Sequence, residues 1–222
     1  GNMATAIGTR AAKHGHTVEL LSRNTAKAQA LADEIGQGAT VGTFGARPAG
    51  DIVIVAVLYS GVVDAVAKYG DGLAGKILVD ISNPFNADAS GLVTTSSAAQ
   101  EIAAAAPESA HVVKALNTIF GHVLAKGTPL DAFIAGDSAE AKSTVAAFLE
   151  SLELRTLDAG GLQAASILEI SRGTLYRTGL GRGKHFRNHH MSCRGHRRGS
   201  EGLFECRRCR RRLYHRGLRG AG

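Results

Sequence analysis

Short apolar stretches alternate with helix-forming stretches through the first 170 residues, and this alternation constrains the fold more than any other feature of the sequence. Asp51 to Leu58 (DIVIVAVL) is almost entirely apolar, which is typical of a strand buried on both faces of a sheet. Lys76 to Ile81 (KILVDI) repeats the pattern after an intervening helical stretch. The rhythm predicts an α/β fold with a Rossmann-like, doubly wound and mostly parallel sheet.

The remaining elements follow from the same patterns. We predict helices over residues 2–14, 25–34, 62–69, 98–106 and 140–151, and further strands over residues 17–21, 111–116, 132–135 and 154–157. A doubly wound domain normally opens with a strand that leads into a glycine turn. This sequence begins at Gly1, inside such a turn, so we expect the first strand of the sheet to be missing from the chain.

Charge divides the chain into two parts. Residues 1–171 hold 11 Lys and Arg against 17 Asp and Glu, a net charge of −6, whereas residues 172–222 hold 15 against 2, a net charge of +13. We therefore predict a Rossmann-like domain over residues 1–170 and an Arg-rich tail over residues 171–222. The tail has too little apolar surface to offset the entropy of ordering, so we expect it to be disordered and not a folded domain.

The tail allows three interpretations. Its cations could bind the phosphate backbone of nucleic acid. Four of its residues could hold zinc: Cys193, Cys206, Cys209 and His215. Only Cys206 and Cys209 have the close spacing that is usual in zinc sites. Translation of GC-rich DNA out of frame also yields abundant Arg, Gly, His and Cys. The abrupt change in composition favours the last interpretation, so we predict no metal site, and nucleic-acid binding only if the tail provides it.

The first four residues are typical of a phosphate-binding turn. In the fingerprint G-x-G-x-x-G/A, Gly1 would be the second glycine and Ala4 the third small residue. The helix that starts at Asn2 and Met3 would offer its free N–H groups and positive dipole to a pyrophosphate. A simple helix start with a Gly-Asn cap explains the same residues equally well, so the turn by itself indicates only a dinucleotide fold.

The end of the next strand indicates which dinucleotide is bound. Sites specific for NAD place an Asp or Glu there, where it binds the 2′-hydroxyl of the ribose. This sequence has Ser22 and Arg23 instead, with Lys27 one helical turn further on. A guanidinium binds phosphate through two hydrogen bonds, and a lysine adds a point charge. We therefore predict NADP(H) as the cofactor, the alternative being two solvated surface cations.

The carboxyl ends of the later strands should line the same crevice. Their apolar residues could contact a nicotinamide ring, and their polar residues could form the opposite wall and the rim. Each of these residues is also typical of an ordinary loop. The residues concerned are Val57, Leu58, Asn83, Pro84, Asn117 and Thr118.

The sequence before residue 172 shows no pattern that indicates a catalytic acid, base or nucleophile, and we assign no catalytic residue. Asp80, inside an apolar strand, is interpreted as a group that could orient a loop and not as a proton donor. Hydride transfer between two bound ring systems depends on positioning and a dry crevice. A reductase of this kind is therefore compatible with a site that has no catalytic acid or base. No apolar run reaches the length of a membrane span and no signal peptide is visible, so we expect a cytoplasmic protein.

Five stretches of the sequence, in order, resemble the F420-dependent NADP oxidoreductases: GNMATAIGTRAAKHGHTVELLSRN, DIVIVAVLYSGVVDAV, GKILVDISNPFN, HVVKALNTIFGHVLA and LRTLDAGGLQAASILE. The resemblance covers about residues 1–170. It implies an enzyme that transfers a hydride between NADP(H) and the deazaflavin coenzyme F420, which acts as second substrate. It also implies that Gly1 to Ala4 bind the pyrophosphate, that Ser22, Arg23 and Lys27 bind the 2′-phosphate, and that family members are cytoplasmic and commonly dimeric.

The chain departs from the family at both ends, because the first strand is missing and the apolar segment expected after Glu169 is replaced. We expect these departures to affect the deazaflavin site, the dimer and the activity of this chain. One alternative is another NADPH-dependent reductase on the same scaffold, similar to pyrroline-5-carboxylate reductase, although the KALNT and LDAG stretches argue against it. The other is a non-catalytic protein that binds nucleotides or nucleic acid.

Overall fold

The protein is described by a computed structural model that covers residues 1–86 and 91–177. Helices and strands alternate through these residues. The helices are α1 (Asn2–Lys13), α2 (Thr25–Ile35), α3 (Val62–Tyr69), α4 (Ala98–Ala105), α5 (Gly121–Leu124), α6 (Ala139–Ser151) and α7 (Ala165–Arg177). The strands are β1 (Glu19–Leu20), β2 (Thr40–Val41), β3 (Ile52–Val55), β4 (Ile77–Asp80), β5 (His111–Ala115), β6 (Leu130–Gly136) and β7 (Leu154–Asp158).

The larger sheet has five strands in the order β3-β4-β5-β6-β7. All neighbouring strands in it are parallel except β5 and β6, which pair antiparallel. This arrangement confirms the predicted α/β class and the mostly parallel, Rossmann-like sheet. Strands β1 and β2 form a separate parallel pair, and among the described residues β3 lies at an edge of the larger sheet.

Helices cover both faces of the larger sheet. Alternate residues of each strand point to opposite faces, so Val79 and Val113 pack in one core with α1 and α6, whereas Leu78 and Val112 pack in the other with α3 and α4. The apolar strands are therefore buried on both sides where they lie mid-sheet, as a doubly wound fold requires.

Local capping residues set where several helices begin. Asn24, Ser97 and Ser138 each precede a helix and accept a hydrogen bond from a backbone N–H of its first turn. Such caps satisfy N–H groups that have no partner within the helix. Gly15, just beyond α1, has φ of +85°, a left-handed conformation that glycine adopts without steric cost.

The strand predicted over residues 51–58 is shorter and less buried than its sequence indicated. Regular pairing covers only Ile52–Val55, and the first three of these residues are half-buried. The reason is position: β3 pairs only with β4 among the described strands, so its other edge is not covered. Leu58, at the end of the predicted strand, is 83% exposed.

Three elements were not predicted from the sequence: β2, α5 and α7. Helix α7 crosses the predicted domain boundary at residue 170. The division of the chain into a domain and a tail stays a prediction. The candidate zinc ligands and most of the Arg-rich tail lie outside the described residues. None of the described helices is long and apolar enough to cross a membrane.

Candidate functional site

Three strand ends meet at one edge of the larger sheet. The register aligns Val55 of β3 with Asp80 of β4, and Asp80 with Lys114 of β5. Because these strands are parallel, the segments that follow them all leave the sheet at this edge. The residues predicted to line a crevice after β3, β4 and β5 are therefore carried to a common edge.

A cavity of about 460 Å³ lies beside the end of β1. Its lining residues come from two segments, one that leads from β1 into α2 and one that begins in β2. They are Ser22, Arg23, Thr25, Val41, Gly42, Thr43 and Phe44. The segment from β2 was not predicted as part of the site, because a two-residue strand leaves almost no periodic signal in the sequence.

The predicted phosphate-binding residues lie at the start of α2. Asn24 caps this helix by accepting from the Lys27 N–H at 2.9 Å, and the Asn24 N–H donates to Ser22 Oγ at 3.1 Å. Arg23 and Lys27 are both exposed, and neither forms a salt bridge within residues 1–86 and 91–177. Arg23 lines the cavity, whereas Lys27 lies further along the helix and does not. The result is two unneutralised cations at a helix N-terminus.

The predicted glycine turn lies at the N-terminus of α1. Gly1 is the cap residue, and its carbonyl accepts from the Thr5 N–H at 3.0 Å. Gly1 and Asn2 are exposed, while Met3 and Ala4 are half-buried. The chain after β5 approaches this turn closely, because a Cβ on Gly121 would lie 3.3 Å from the backbone of Asn2. The start of α1 is thereby held against α5.

Val57 and Leu58 follow β3, as predicted, but have different surroundings. Val57 is half-buried against the core on the α3 side, while Leu58 is exposed to solvent. Tyr59, which follows, packs against the same core and donates from its hydroxyl to Glu101 Oε2 at 2.9 Å. Burial, with the hydrogen bond to Glu101, raises the pKa of Tyr59. Leu58 is thus the apolar side chain that this strand end exposes.

Asn83 and Asn117 are brought together directly. Asn117 Nδ2 donates to Asn83 Oδ1 at 3.0 Å, and Asn83 Nδ2 donates to the Asn117 carbonyl at 3.3 Å. Pro84 is buried and accepts at its carbonyl from the Val93 N–H at 2.8 Å, while Thr118 is half-buried. These contacts join the segments after β4 and β5 into one wall.

Two buried polar atoms in this wall have no hydrogen-bond partner among the described residues. They are Ser82 Oγ and Asn117 Oδ1, on side chains that follow β4 and β5. Buried polar atoms nearly always have a partner, so an exception calls for a specific explanation. Both atoms lie in the segments after β4 and β5, from which the sequence predicts one wall of the crevice.

A buried charge cluster under the same wall was not predicted. Lys114 Nζ donates to Asp80 Oδ2 at 2.7 Å, to Glu169 Oε1 at 2.6 Å and to the Ser82 carbonyl at 2.6 Å. The side chains of Lys114, Asp80 and Glu169 are completely buried. Burial raises the pKa of Glu169, Lys114 opposes the shift, and Asp80 adds to it. Lys114 and Asp80 each interrupt an apolar strand, which was the signal available in the sequence.

Within residues 1–86 and 91–177, His, Cys, Asp and Glu side chains form no group of three or more that could hold a metal ion.

Comparison with known proteins identifies relatives of this arrangement. Residues 1–84 match the family described as NADP oxidoreductase, coenzyme F420-dependent. Metalloreductase STEAP3 of Rattus norvegicus is 33% identical over 176 residues, which cover 76% of this chain and 34% of that protein. The chain thus spans about a third of the length of this curated relative.

Solved structures share the fold. A protein of Arthrobacter sp. FB24, provisionally named an F420-dependent NADP reductase, is 27% identical with a TM-score of 0.72, covering 83% of this chain and 92% of that one. A reductive aminase of Aspergillus terreus in complex with NADPH is 21% identical with a TM-score of 0.58, covering 82% and 60%. The second likeness extends to the fold alone.

Proposed function

We propose that this chain, whose residues 1–84 match the family of coenzyme F420-dependent NADP oxidoreductases, transfers a hydride between NADP(H) and the deazaflavin coenzyme F420. The observation that carries the proposal is the cavity beside Arg23. None of the described residues that line it bears a carboxylate, the group that would favour a ribose 2′-hydroxyl. Arg23 and the N-terminus of α2 favour a 2′-phosphate there instead.

Different residues bind different parts of the dinucleotide. Ser22 and Arg23 hold the 2′-phosphate, with Lys27 adding positive potential one helical turn away. The open N-terminus of α1, from Gly1 to Ala4, binds the pyrophosphate through its free N–H groups. Phe44, Val41 and Thr43 provide a mostly apolar wall for the adenosine.

The strand ends position the reacting end of the cofactor. Leu58 provides an exposed apolar surface on one side, and the paired amides of Asn83 and Asn117 form the opposite wall beside Pro84 and Thr118. When bound, NADPH supplies the hydride itself, so the protein's contribution is orientation and exclusion of water. No side chain is needed as an acid or base for the hydride to move, and we assign none.

A homodimer in the cytoplasm is part of the same proposal, because the family resemblance implies both. Static light scattering on the full chain tests the dimer, and a mass equal to one chain would contradict it.

The functional test mixes the protein with NADPH and oxidised F420 and follows the loss of deazaflavin absorbance. We expect NADPH-dependent loss, with no loss when NADH replaces NADPH at the same concentration. A protein that binds NADPH but does not bleach F420 would contradict the deazaflavin assignment and leave the coarser one, an NADP-dependent oxidoreductase.

A second candidate follows from the identity to the curated metalloreductase. In that case NADPH would reduce a metal ion, and a carrier such as a flavin would have to split the hydride into single electrons. Supplying free flavin and a ferric chelate in place of F420 tests this candidate. Metal reduction without F420 bleaching would favour it over the first.

A further inference from the structure

Lys114 makes as many hydrogen bonds as its charge allows. An ammonium group has three N–H donors, and the three acceptors are Asp80 Oδ2, Glu169 Oε1 and the Ser82 carbonyl. All lie within 2.7 Å of Nζ, and both carboxyl partners are completely buried. Charge-assisted hydrogen bonds of this length are the strong ones in proteins. The cluster therefore fixes the positions of its members closely.

The three acceptors belong to two parts of the fold, the end of β4 and helix α7. Asp80 ends β4 and also accepts from the Ser82 N–H at 2.8 Å, so it shapes the segment that follows the strand. Glu169 lies in α7 and also accepts, at Oε1, from the Ala98 N–H at 3.1 Å. Ala98 is the first residue of α4. One ammonium group thus joins β4, β5, α7 and the start of α4.

The cluster lies directly behind the crevice wall. Asn117 follows Lys114 by three residues, and its Nδ2 donates to the carbonyl of Leu168, the neighbour of Glu169 in α7. Leu116, between Lys114 and Asn117, has φ of +57° although it is not a glycine. A strained backbone of this kind persists only where its surroundings hold it. Contacts to α7 on both sides of Leu116 provide that restraint.

We propose that Lys114 is a positioning residue for the crevice: through Glu169 it holds α7, and through Asp80 and the Ser82 carbonyl it holds the segment after β4, so that Asn83 and Asn117 keep their paired geometry. Lys114 touches no substrate in this proposal. The identification of this part of the crevice as the nicotinamide end rests on the proposed function.

Glu169 is the best place to test the cluster. Lys114→Met would leave two carboxyl groups buried without a cation, and the chain is expected to fold poorly. Glu169→Ala removes one acceptor of the ammonium group and with it the link from Lys114 to α7. Glu169→Gln keeps Oε1, which accepts from Lys114 and makes the shorter contact with the Ala98 N–H, and loses only the 3.4 Å contact of Oε2 with the same N–H. Burial already favours the neutral form of this side chain by raising its pKa. The glutamine variant is therefore the matched rescue.

Hydrogen exchange of the full chain provides a measure that needs no substrate. In Glu169→Ala we expect exchange to quicken by about tenfold or more in residues 165–171 and 114–118, because these segments lose their common anchor. Exchange in α6, residues 139–151, should not change. Glu169→Gln should exchange like the wild type. Unchanged exchange in Glu169→Ala, equal acceleration throughout the chain, or failure of the glutamine to rescue would each overturn the proposal.

Kinetics provide the second measure. A small displacement of the wall should lower kcat for hydride transfer by about 10- to 100-fold in Glu169→Ala. KM for NADPH should change by less than about threefold, because the cofactor's phosphates bind elsewhere. A loss confined to KM would contradict a role in positioning. If wild-type protein fails to reduce F420, the proposed function fails, and the exchange measurement still decides whether Lys114 and Glu169 hold the wall.

Discussion

Arg10 and Arg23 have the same side chain in opposite settings. Arg10 is 5% exposed, and its guanidinium donates to the backbone carbonyls of Leu152 at 2.6 Å, Thr128 at 3.1 Å and Leu124 at 3.3 Å. Burial lowers its pKa. Arg23 is exposed at the edge of the cavity and has no salt bridge to a described residue. An arginine saturated by carbonyls stabilises the fold, whereas one left with free donors beside a helix N-terminus is suited to bind an anion.

Replacing Arg23 tests that difference. We expect Arg23→Ala to weaken NADPH binding by roughly 1.5–3 kcal/mol, the range for a hydrogen bond to a charged group, and to leave NADH binding nearly unchanged. Titration of the intrinsic fluorescence of each reduced nucleotide measures both affinities. Arg155→Ala is the matched control, because it removes an exposed guanidinium from β7, where Arg155 pairs with Asp131. Equal losses for NADPH and NADH would contradict the 2′-phosphate assignment.

At the scale of elements, α1 is held in place by contacts from several parts of the chain. Gly8 packs so closely on α2 that an added Cβ would lie 2.6 Å from Ile35 Cδ1. Gly121 brings the start of α5 against the start of α1. Arg10 joins the last turn of α1 to the carbonyls that follow α5 and α6. These contacts hold the N-terminus of α1, and hence the predicted pyrophosphate site, relative to the strand ends.

Arg10→Met should therefore destabilise the whole domain. The methionine keeps most of the apolar contact but leaves several buried carbonyls without a donor, at a cost of about 2–3 kcal/mol. Urea unfolding followed by circular dichroism measures the change. Lys13→Met, an exposed cation on the same helix, is the control and should have an effect within about 0.5 kcal/mol. Similar unfolding midpoints for the two variants would show that the Arg10 hydrogen bonds contribute little.

At the scale of the molecule, the strands belong to two separate sheets. The β1–β2 pair is only two residues long on each strand, whereas the five-stranded sheet has a helical layer on both faces. The proposed dinucleotide site uses both sheets, with the 2′-phosphate beside β1 and the nicotinamide at the ends of β3, β4 and β5. A bound cofactor would therefore contact the less extensively paired sheet and the better covered one at the same time.

Saturating NADP⁺ should accordingly slow hydrogen exchange in two distant segments. We expect protection over residues 19–28, which include β1 and the start of α2, and over residues 114–118, because opening of either segment would break contacts with the ligand. Residues 139–151 in α6 provide the internal control and should not respond. If protection is confined to residues 19–28, the prediction for the adenosine end of the cofactor holds and the prediction for the nicotinamide end is wrong.

The sequence by itself determined the class of fold, and it predicted where a phosphate would bind. Apolar strands and helix signals are local, so α1, α2, α3 and α6 were predicted within a few residues of their observed ends. Ser22 and Arg23 could be placed because a strand end and a helix cap fall at fixed points along the chain. Their role in binding NADP(H) stays a prediction, as do the roles of the other candidate site residues.

The tertiary structure decided what depends on neighbours distant in sequence. The half-burial of β3 follows from its place at a sheet edge, which its apolar composition does not reveal. The cavity wall from Val41 to Phe44 depends on a two-residue strand that only pairing with β1 defines. The contact of Lys114 with Asp80 and Glu169 joins residues 34 and 55 positions apart. No periodicity encodes such a contact, because it exists only once β4, β5 and α7 have packed together.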